Sequence, residues 1–156
     1  MSPIEIPLSQ GKVALIDADA LHLVAGRKWF FGCGGYAVSN HKRPDGSKSI
    51  IYMHRLILCP PQNAIVDHRN GNRTDNRMQN LRVASHSDNM RNRKMGANNR
   101  SGFKGVSFRE KTGMWIACIS LDGKSKHLGC FSKPQEAYAA YCNAARALHG
   151  EFARFQ

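Results

Sequence analysis

The chain is organised around residues 66–72, which read Val-Asp-His-Arg-Asn-Gly-Asn. The apolar run 64–66 leads into an acid and an imidazole, Asp67 and His68, and the Asn-Gly pair that follows favours a turn. A second strand-like run, Leu-Arg-Val-Ala, occupies residues 81–84. The order strand, loop, strand predicts a hairpin that carries Asp67 and His68 where its first strand ends.

A helix is predicted directly after this second strand. Ser85 with Asp88 three residues later resembles an N-cap followed by an acid, so the helix begins at the next residue and holds Asn89 in its first turn. The resulting ββα unit can bring Asp67 close to Asn89. A carboxylate and an amide oxygen suit a hard cation such as Mg²⁺ or Mn²⁺, completed by water and phosphate oxygens. His68 would then be placed to take a proton from water.

The charge of the chain indicates a polyanionic partner. Of 156 residues, 23 are Lys or Arg and 11 are Asp or Glu, which gives a net charge of +12. The surplus is largest in residues 51–102, which hold 9 basic and 3 acidic residues and include the Asp-His-Asn cluster. Nucleic acid is the first candidate partner. An anionic membrane would require a basic amphipathic helix with bulky apolar residues opposite, and the sequence contains none.

Apolar runs and cysteines indicate the compartment. The sequence has no apolar run long enough for a membrane span, and its first ten residues lack the pattern of a secretion signal. The five cysteines are odd in number and form no Cys-x-x-Cys pair, which argues against a disulfide scaffold and a cysteine-rich zinc site. We therefore expect a cytoplasmic protein.

Residues 1–53 are predicted to form a small, mostly β unit. The strand candidates are 12–16, 29–31, 35–38 and 49–53, with a short helix over 18–25 and a hairpin turn at Asp45-Gly46. Trp29, Phe30 and Tyr36 fit core packing, with a stacking surface for nucleic acid as the alternative. The apolar stretch 54–58 predicts one or two helical turns stopped by prolines. His54 either binds phosphate or metal, or is a structural histidine where strand and helix join.

The central motif resembles that of the HNH endonucleases of the ββα-metal group, most closely their phage and intron-encoded, homing-type branch. The resemblance covers about residues 52–93. Residues 54–56 match the His-Arg-Leu element of that branch, residues 67–68 its Asp-His pair, and Asn80 and Asn89 its two asparagines. The acid and the last asparagine stand 22 positions apart.

This resemblance implies a role for each matched residue. His68 would be the general base, and Asn80 would tie down the loop and help orient His68. Asp67 and Asn89 would hold one divalent ion per site, and an asparagine in place of the last histidine favours Mg²⁺ or Mn²⁺ over Zn²⁺. Nearby arginines would contact DNA phosphates; the candidates are Arg69, Arg73, Arg77, Arg82, Arg91 and Arg93.

A second module is predicted after a linker at 96–102. Strands at 105–109, 114–121 and 126–131 precede a helix that begins with a capping box of Ser132 and Gln135 and ends at Gly150. Alternation turns one set of side chains toward the helix: Val106, Phe108, Trp115, Ala117, Ile119 and Leu128. It turns another set outward: Ser107, Arg109, Cys118, Ser120, Ser125 and His127.

This module resembles the plant ethylene-response-factor (APETALA-type) DNA-binding domain. The matching residues are Lys104-Gly105-Val106, Trp115, Ala117, Leu128-Gly129, Phe131, Glu136-Ala137, Ala144-Ala145 and Gly150. The resemblance implies that Lys104, Arg109, Ser120 and His127 contact DNA. Ser107 and Ser120 stand where the plant domains usually have arginines, so the plant target sequence does not transfer.

The sequence thus predicts an α+β protein. A β-rich segment with a ββα-metal nuclease core occupies 1–95, and a three-stranded antiparallel sheet packed on one helix occupies 103–156. We expect a metal-dependent endonuclease that cuts double-stranded DNA, as a monomer or weak homodimer. The alternatives are a DNA-binding regulator that keeps the HNH fold without cleavage, and an RNA-binding or RNA-cleaving protein, because phosphate chemistry alone does not separate these classes.

Overall fold

The computed structural model describes residues 2–92, 95–96, 98–121 and 123–155 and has the mixed α+β character that the sequence predicts. The chain divides after Ser85 into two compact units, 1–85 and 86–156. This division lies ahead of the predicted linker at 96–102. The assignment of a nuclease domain and a DNA-reading domain stays a prediction.

Two small antiparallel sheets make up the first half of the first unit. Strands β1 (Ile4–Pro7) and β2 (Val13–Ile16) pair with each other, and a 3-10 helix (Ala18–Ala20) leads into helix α1 (Leu21–Val24). Strands β3 (Phe30–Phe31), β4 (Ala37–Lys42) and β5 (Lys48–Tyr52) form the second sheet. The predicted strands and the hairpin turn are confirmed, whereas β1 was not foreseen.

The second half of the first unit holds the predicted motif. Helix α2 (Met53–Leu58) is followed by strand β6 (Ile65–His68), which pairs antiparallel with β7 (Leu81–Ala84). Both strands of the predicted hairpin are therefore present. The loop between them is attached to β2, since the backbone N–H of Leu15 donates to Thr74 (2.9 Å) and that of Asn76 donates to Leu15 (2.8 Å).

The core of the first unit lies between these elements. Its most buried members include Ala14, Ile16, Val24, Trp29 and Met53. Trp29 is 5% exposed, and its indole N–H donates to the carbonyl of Val24 at 3.0 Å. A buried indole whose donor is satisfied belongs to the core, so Trp29 is no stacking surface for nucleic acid. Burying this many apolar side chains drives the first unit to fold.

The second unit contains the predicted sheet and helix. Helix α3 (His86–Arg91) precedes strands β8 (Val106–Arg109), β9 (Met114–Leu121) and β10 (Lys124–Phe131). The sheet is antiparallel with β9 in the centre, and helix α4 (Pro134–His149) packs against it. Val106, Ala117 and Ile119 face the helix side chains Ala137, Tyr141 and Ala145. The start of α3 and the end of α4 before Gly150 agree with the predictions.

Two details of the second unit differ from the predictions. Phe108, predicted to face the helix, lies opposite Trp115 of the core beside that helix, and the two rings are 4.9 Å apart. It is nevertheless 49% exposed, next to the last residue of the edge strand β8. The capping box is also absent: Lys133 is the N-cap with no side-chain cap bond, and Ser132 donates instead to Glu136. Proline in the first turn starts this helix.

Candidate active site

Asp67 and His68 are the last two residues of β6, and both are buried. In the strand pair, Asp67 lies opposite Arg82 and His68 lies opposite Leu81. Adjacent strand residues project to opposite faces, so the two side chains have different surroundings.

Asp67 forms an ion pair with Arg82. The guanidinium donates from Nε (2.8 Å) and from Nη2 (2.7 Å) to Oδ2 of the carboxylate. Both side chains are only 6% exposed. The guanidinium of Arg82 is buried and already bound to a carboxylate, which disfavours its predicted contact with a DNA phosphate. Sequence position alone could not separate this arginine from its exposed neighbours.

The ring of His68 bonds to a residue that the sequence analysis did not select. Its Nε2 lies 3.2 Å from Oδ1 of Asn76, which is 0% exposed. Burial lowers the pKa of His68 below its ordinary value, and the bond to Asn76 and the neighbouring carboxylates oppose this only in part. His68 is therefore the neutral imidazole near pH 7, the form that can accept a proton.

Asn80 is bound into the loop that joins the two strands. Its Oδ1 accepts from the backbone N–H of Asn70 (3.0 Å), and its Nδ2 donates to the carbonyl of Asp75 (2.7 Å). Asp75 in turn accepts from Arg77 and from Asn70. These bonds hold the two ends of the loop together, whereas the side-chain bond to the ring of His68 comes from elsewhere.

Two aromatic rings lie against that of His68. The ring of His54 meets it nearly perpendicularly with centroids 5.2 Å apart, and the ring of Tyr36 lies at 6.0 Å. Tyr52 contacts both Tyr36 and His54. The guanidinium of Arg73 lies 4.8 Å above Tyr36, which is a cation–π distance. No periodicity in the sequence marks these residues as one cluster, because they come from separate parts of the chain: the loop before β4, strand β5, helix α2 and the loop between β6 and β7.

His54 is the structural member of this cluster. It is buried, and its Nδ1 is the one buried side-chain nitrogen or oxygen in the described ranges without a hydrogen-bond partner. Burial, then His68 and then Arg55, lower the pKa of His54 to about 3. A neutral ring packed among aromatics fits the structural alternative for His54 better than the phosphate or metal alternative.

The predicted metal ligands fall in different units. Asn89 lies on α3 of the second unit, half-buried, so the pairing of Asp67 with Asn89 stays a prediction. In the part of the chain that the structure describes, no three His, Cys, Asp or Glu side chains form a metal cluster. The donor types of the pair, carboxylate and amide oxygen, nevertheless fit a hard divalent ion.

The remaining predicted phosphate contacts differ in their surroundings. Arg77 pairs with Asp75 and Arg91 with Asp88, each at 2.7 Å. Arg73 is exposed and donates to the carbonyl of Gly34, and Arg69 is exposed. Arg93 lies outside the described residues.

The predicted DNA contacts of the second unit also separate into two groups. Arg109, Ser120 and His127 are exposed on the strands. Lys104 is half-buried and donates to the carbonyl of Arg91 at 2.8 Å, and burial lowers its pKa to about 8. Lys104 and Ser120 both line a cavity of about 490 Å³ within this unit.

Comparisons with known proteins identify the central motif. Residues 59–91 match the HNH endonuclease family. The chain is 34% identical over 96 residues to protein 3.8 of Escherichia phage T7, covering 62% of this chain and 78% of that protein. It is 27% identical over 144 residues to a protein of Acanthamoeba polyphaga mimivirus named an uncharacterized HNH endonuclease, covering 92% of this chain and 74% of that protein. No solved structure matches the chain.

These comparisons support only some of the predictions. The family match ends at residue 91, so it does not support the resemblance of residues 103–156 to the plant DNA-binding domain. Within the described ranges, no helix has the length and apolar character needed to cross a bilayer.

Proposed function

Because this chain belongs to the same family as protein 3.8 of phage T7 and carries an HNH endonuclease domain, we propose that it is a metal-dependent DNA endonuclease of the homing or phage-mobile type. The observation that carries the proposal is the setting of His68. A neutral, buried imidazole follows a buried carboxylate on one strand, inside the region that matches the family.

His68 acts as general base in this proposal. It takes a proton from a water molecule whose oxygen forms a bond to phosphorus, while the bond from phosphorus to the 3′-oxygen breaks on the opposite side. The leaving 3′-oxygen takes its proton from solvent. A positioned general base contributes about 10²- to 10⁴-fold to such a rate.

Asp67 and Asn89 are the residues that would hold the metal. HNH endonucleases generally use a divalent ion. When bound, this ion would neutralise phosphate charge and stabilise the leaving oxygen. The oxygen donors favour Mg²⁺ or Mn²⁺. Arg82 binds Oδ2 of Asp67 and thereby fixes the orientation of the carboxylate.

Double-stranded DNA is the proposed substrate, and exposed basic residues of both units would bind its backbone. Arg69 and Arg73 are the candidates in the first unit. Arg109 and His127 are candidates on the exposed strand face of the second unit, which we propose as the DNA-reading face, in line with the plant-domain resemblance. Phosphate contacts of this kind position the duplex without reading its sequence.

The test is cleavage of supercoiled plasmid in Mg²⁺ or Mn²⁺ by the wild type, by His68→Gln and by His41→Gln. His41 is exposed on β4 and provides the same substitution away from the motif. We expect the wild type and His41→Gln to nick or linearise the plasmid, and His68→Gln to be at least about 100-fold slower with DNA binding retained. Cleavage by His68→Gln at the wild-type rate would exclude His68 as the base.

The same assay separates the alternatives. Tight duplex binding by the wild type with no strand scission in either metal would identify a regulator that keeps the fold. Faster cleavage of RNA than of DNA would identify the RNA-directed class. For the metal ligand, Asp67→Asn is preferable to Asp67→Ala, because the amide oxygen can still accept a hydrogen bond from the buried Arg82.

A further inference from the structure

We propose that Asn76 is a positioning residue that fixes the tautomer of His68, with the proton on Nε2 and the lone pair on Nδ1. The inference rests on the proposed function, since it names the atom of His68 that takes the proton from water. Asn76 lies inside the range 59–91 that matches the HNH family, but the sequence analysis gave it no role.

The amide of Asn76 has one orientation that satisfies its neighbours. Its Nδ2 donates to the carbonyl of Thr74 at 3.2 Å and to Sδ of Met53 at 3.3 Å. A carbonyl oxygen accepts and cannot donate, so the NH₂ group must face Thr74. Its Oδ1 therefore faces Nε2 of His68 at 3.2 Å.

This orientation determines where the ring carries its proton. An amide oxygen can only accept a hydrogen bond, so Nε2 must be the protonated nitrogen of the neutral ring. The opposite tautomer would place two lone pairs against each other at this contact. The basic lone pair of His68 therefore lies on Nδ1, and this atom would receive the proton.

Burial of Asn76 on a fixed backbone makes the opposite orientation of its amide costly. The residue is 0% exposed, its N–H donates to the carbonyl of Leu15 at 2.8 Å, and Leu15 donates to the carbonyl of Thr74 at 2.9 Å. Strand β2 is thus hydrogen-bonded to the loop on both sides of Asp75, and a parallel bridge joins Leu15 to Asp75. If the amide were turned over, its oxygen would face the carbonyl oxygen of Thr74, and both buried atoms would lack a donor.

This assignment separates two asparagines. Asn80, which the family motif contains, uses both polar atoms of its amide for hydrogen bonds to Asn70 and Asp75 within the loop. Asn76 is the one that bonds the ring of His68. Asn80 therefore stabilises the loop, and Asn76 determines which ring nitrogen of His68 carries the proton.

The test begins with the metal-free wild-type protein, in which long-range ¹⁵N–¹H NMR spectra identify the protonated nitrogen of His68. We expect a single tautomer with the proton on Nε2. A proton on Nδ1 would overturn the proposal. This measurement requires neither cleavage nor any variant, so it is independent of whether the protein is a nuclease.

Variants then test whether Asn76 is the cause. Asn76→Leu removes the acceptor, and we expect His68 to lose the single Nε2–H form and kcat to fall at least about ten-fold with KM for DNA unchanged. Asn40→Leu, at an exposed position on β4, is the control and should behave as the wild type. An Asn76→Leu protein that keeps both the single tautomer and the wild-type kcat would refute the assignment.

Discussion

Arg82 donates two hydrogen bonds to one oxygen of Asp67, and this ion pair is buried in the hairpin of β6 and β7. The carboxylate proposed to bind metal is thus oriented by a cation from the neighbouring strand. Two opposite charges can stay buried together because each compensates the other. Burying either charge without the other would cost folding free energy. The same ion pair therefore affects both the stability of the hairpin and the geometry of the proposed metal ligand.

Arg82→Met should lower the free energy of unfolding by about 3–5 kcal/mol, because it leaves the carboxylate of Asp67 buried without its cation. Urea denaturation of the purified protein measures this change. Arg27→Met, the same substitution at an exposed position, should change stability by less than about 0.5 kcal/mol. Equal effects of the two substitutions would show that the pair contributes nothing to stability.

His54→Phe should make the protein less sensitive to acid. The pKa of His54 is about 3 when folded and about 6.5 when unfolded, so the unfolded chain binds more protons between these values. The stabilising effect of a neutral His54 is thus present above pH 6.5 and is lost as pH falls toward 3. Phenylalanine has no proton to bind, so the loss becomes smaller. It does not vanish, because burial also lowers the pKa of His68.

The same variant should be more stable than the wild type near neutral pH, by about 1 kcal/mol or more, because the unpartnered Nδ1 of His54 is removed. Thermal unfolding from pH 4 to pH 8 measures both effects. The control is His41→Phe, at an exposed position, which should keep the acid sensitivity of the wild type. A wild-type pH profile in His54→Phe would contradict the burial of a neutral imidazole there.

Gly105→Ala should destabilise the second unit strongly. A Cβ at this position would overlap the ring of Tyr141 and lie 2.7 Å from the carbonyl oxygen of Cys118. The backbone there has φ of +74°, which a side chain also disfavours. Gly113→Ala is the matched control, since its φ is +65° and nothing lies within 4 Å of its Cβ.

Gly113→Ala should lower the free energy of unfolding by about 1–2 kcal/mol through backbone strain alone. Gly105→Ala should lower it clearly more, because the steric overlap is added. Circular dichroism during thermal unfolding measures the difference. Equal costs at the two glycines would mean that Tyr141 can move aside without penalty.

Arg109→Gln should weaken DNA binding and reduce its dependence on salt. Arg109 is exposed on β8, on the proposed DNA-reading face. Losing one phosphate contact lowers the slope of log K against log salt by about 1. Fluorescence anisotropy with a duplex at several salt concentrations measures the slope. Lys12→Gln changes the net charge equally at an exposed site in the first unit and should leave the slope unchanged.

Much of the secondary structure followed from the sequence because its causes are local. Short runs between turn signals marked β9 and β10, an Asn-Gly turn marked the loop after β6, and prolines marked the end of α2. Local turn and cap signals did not decide everything, since Pro134 began α4 without the expected capping box. Each correct prediction used residues within a few positions of one another.

The sequence by itself indicated an HNH motif in the middle of the chain, and residues 59–91 match that family. Only the tertiary structure decided what those residues touch. It buried Arg82 against Asp67, and it placed Asn76 rather than Asn80 against the ring of His68. These contacts join residues whose distance in space depends on strand register and on the attachment of a loop to β2, and neither is encoded by neighbours along the chain.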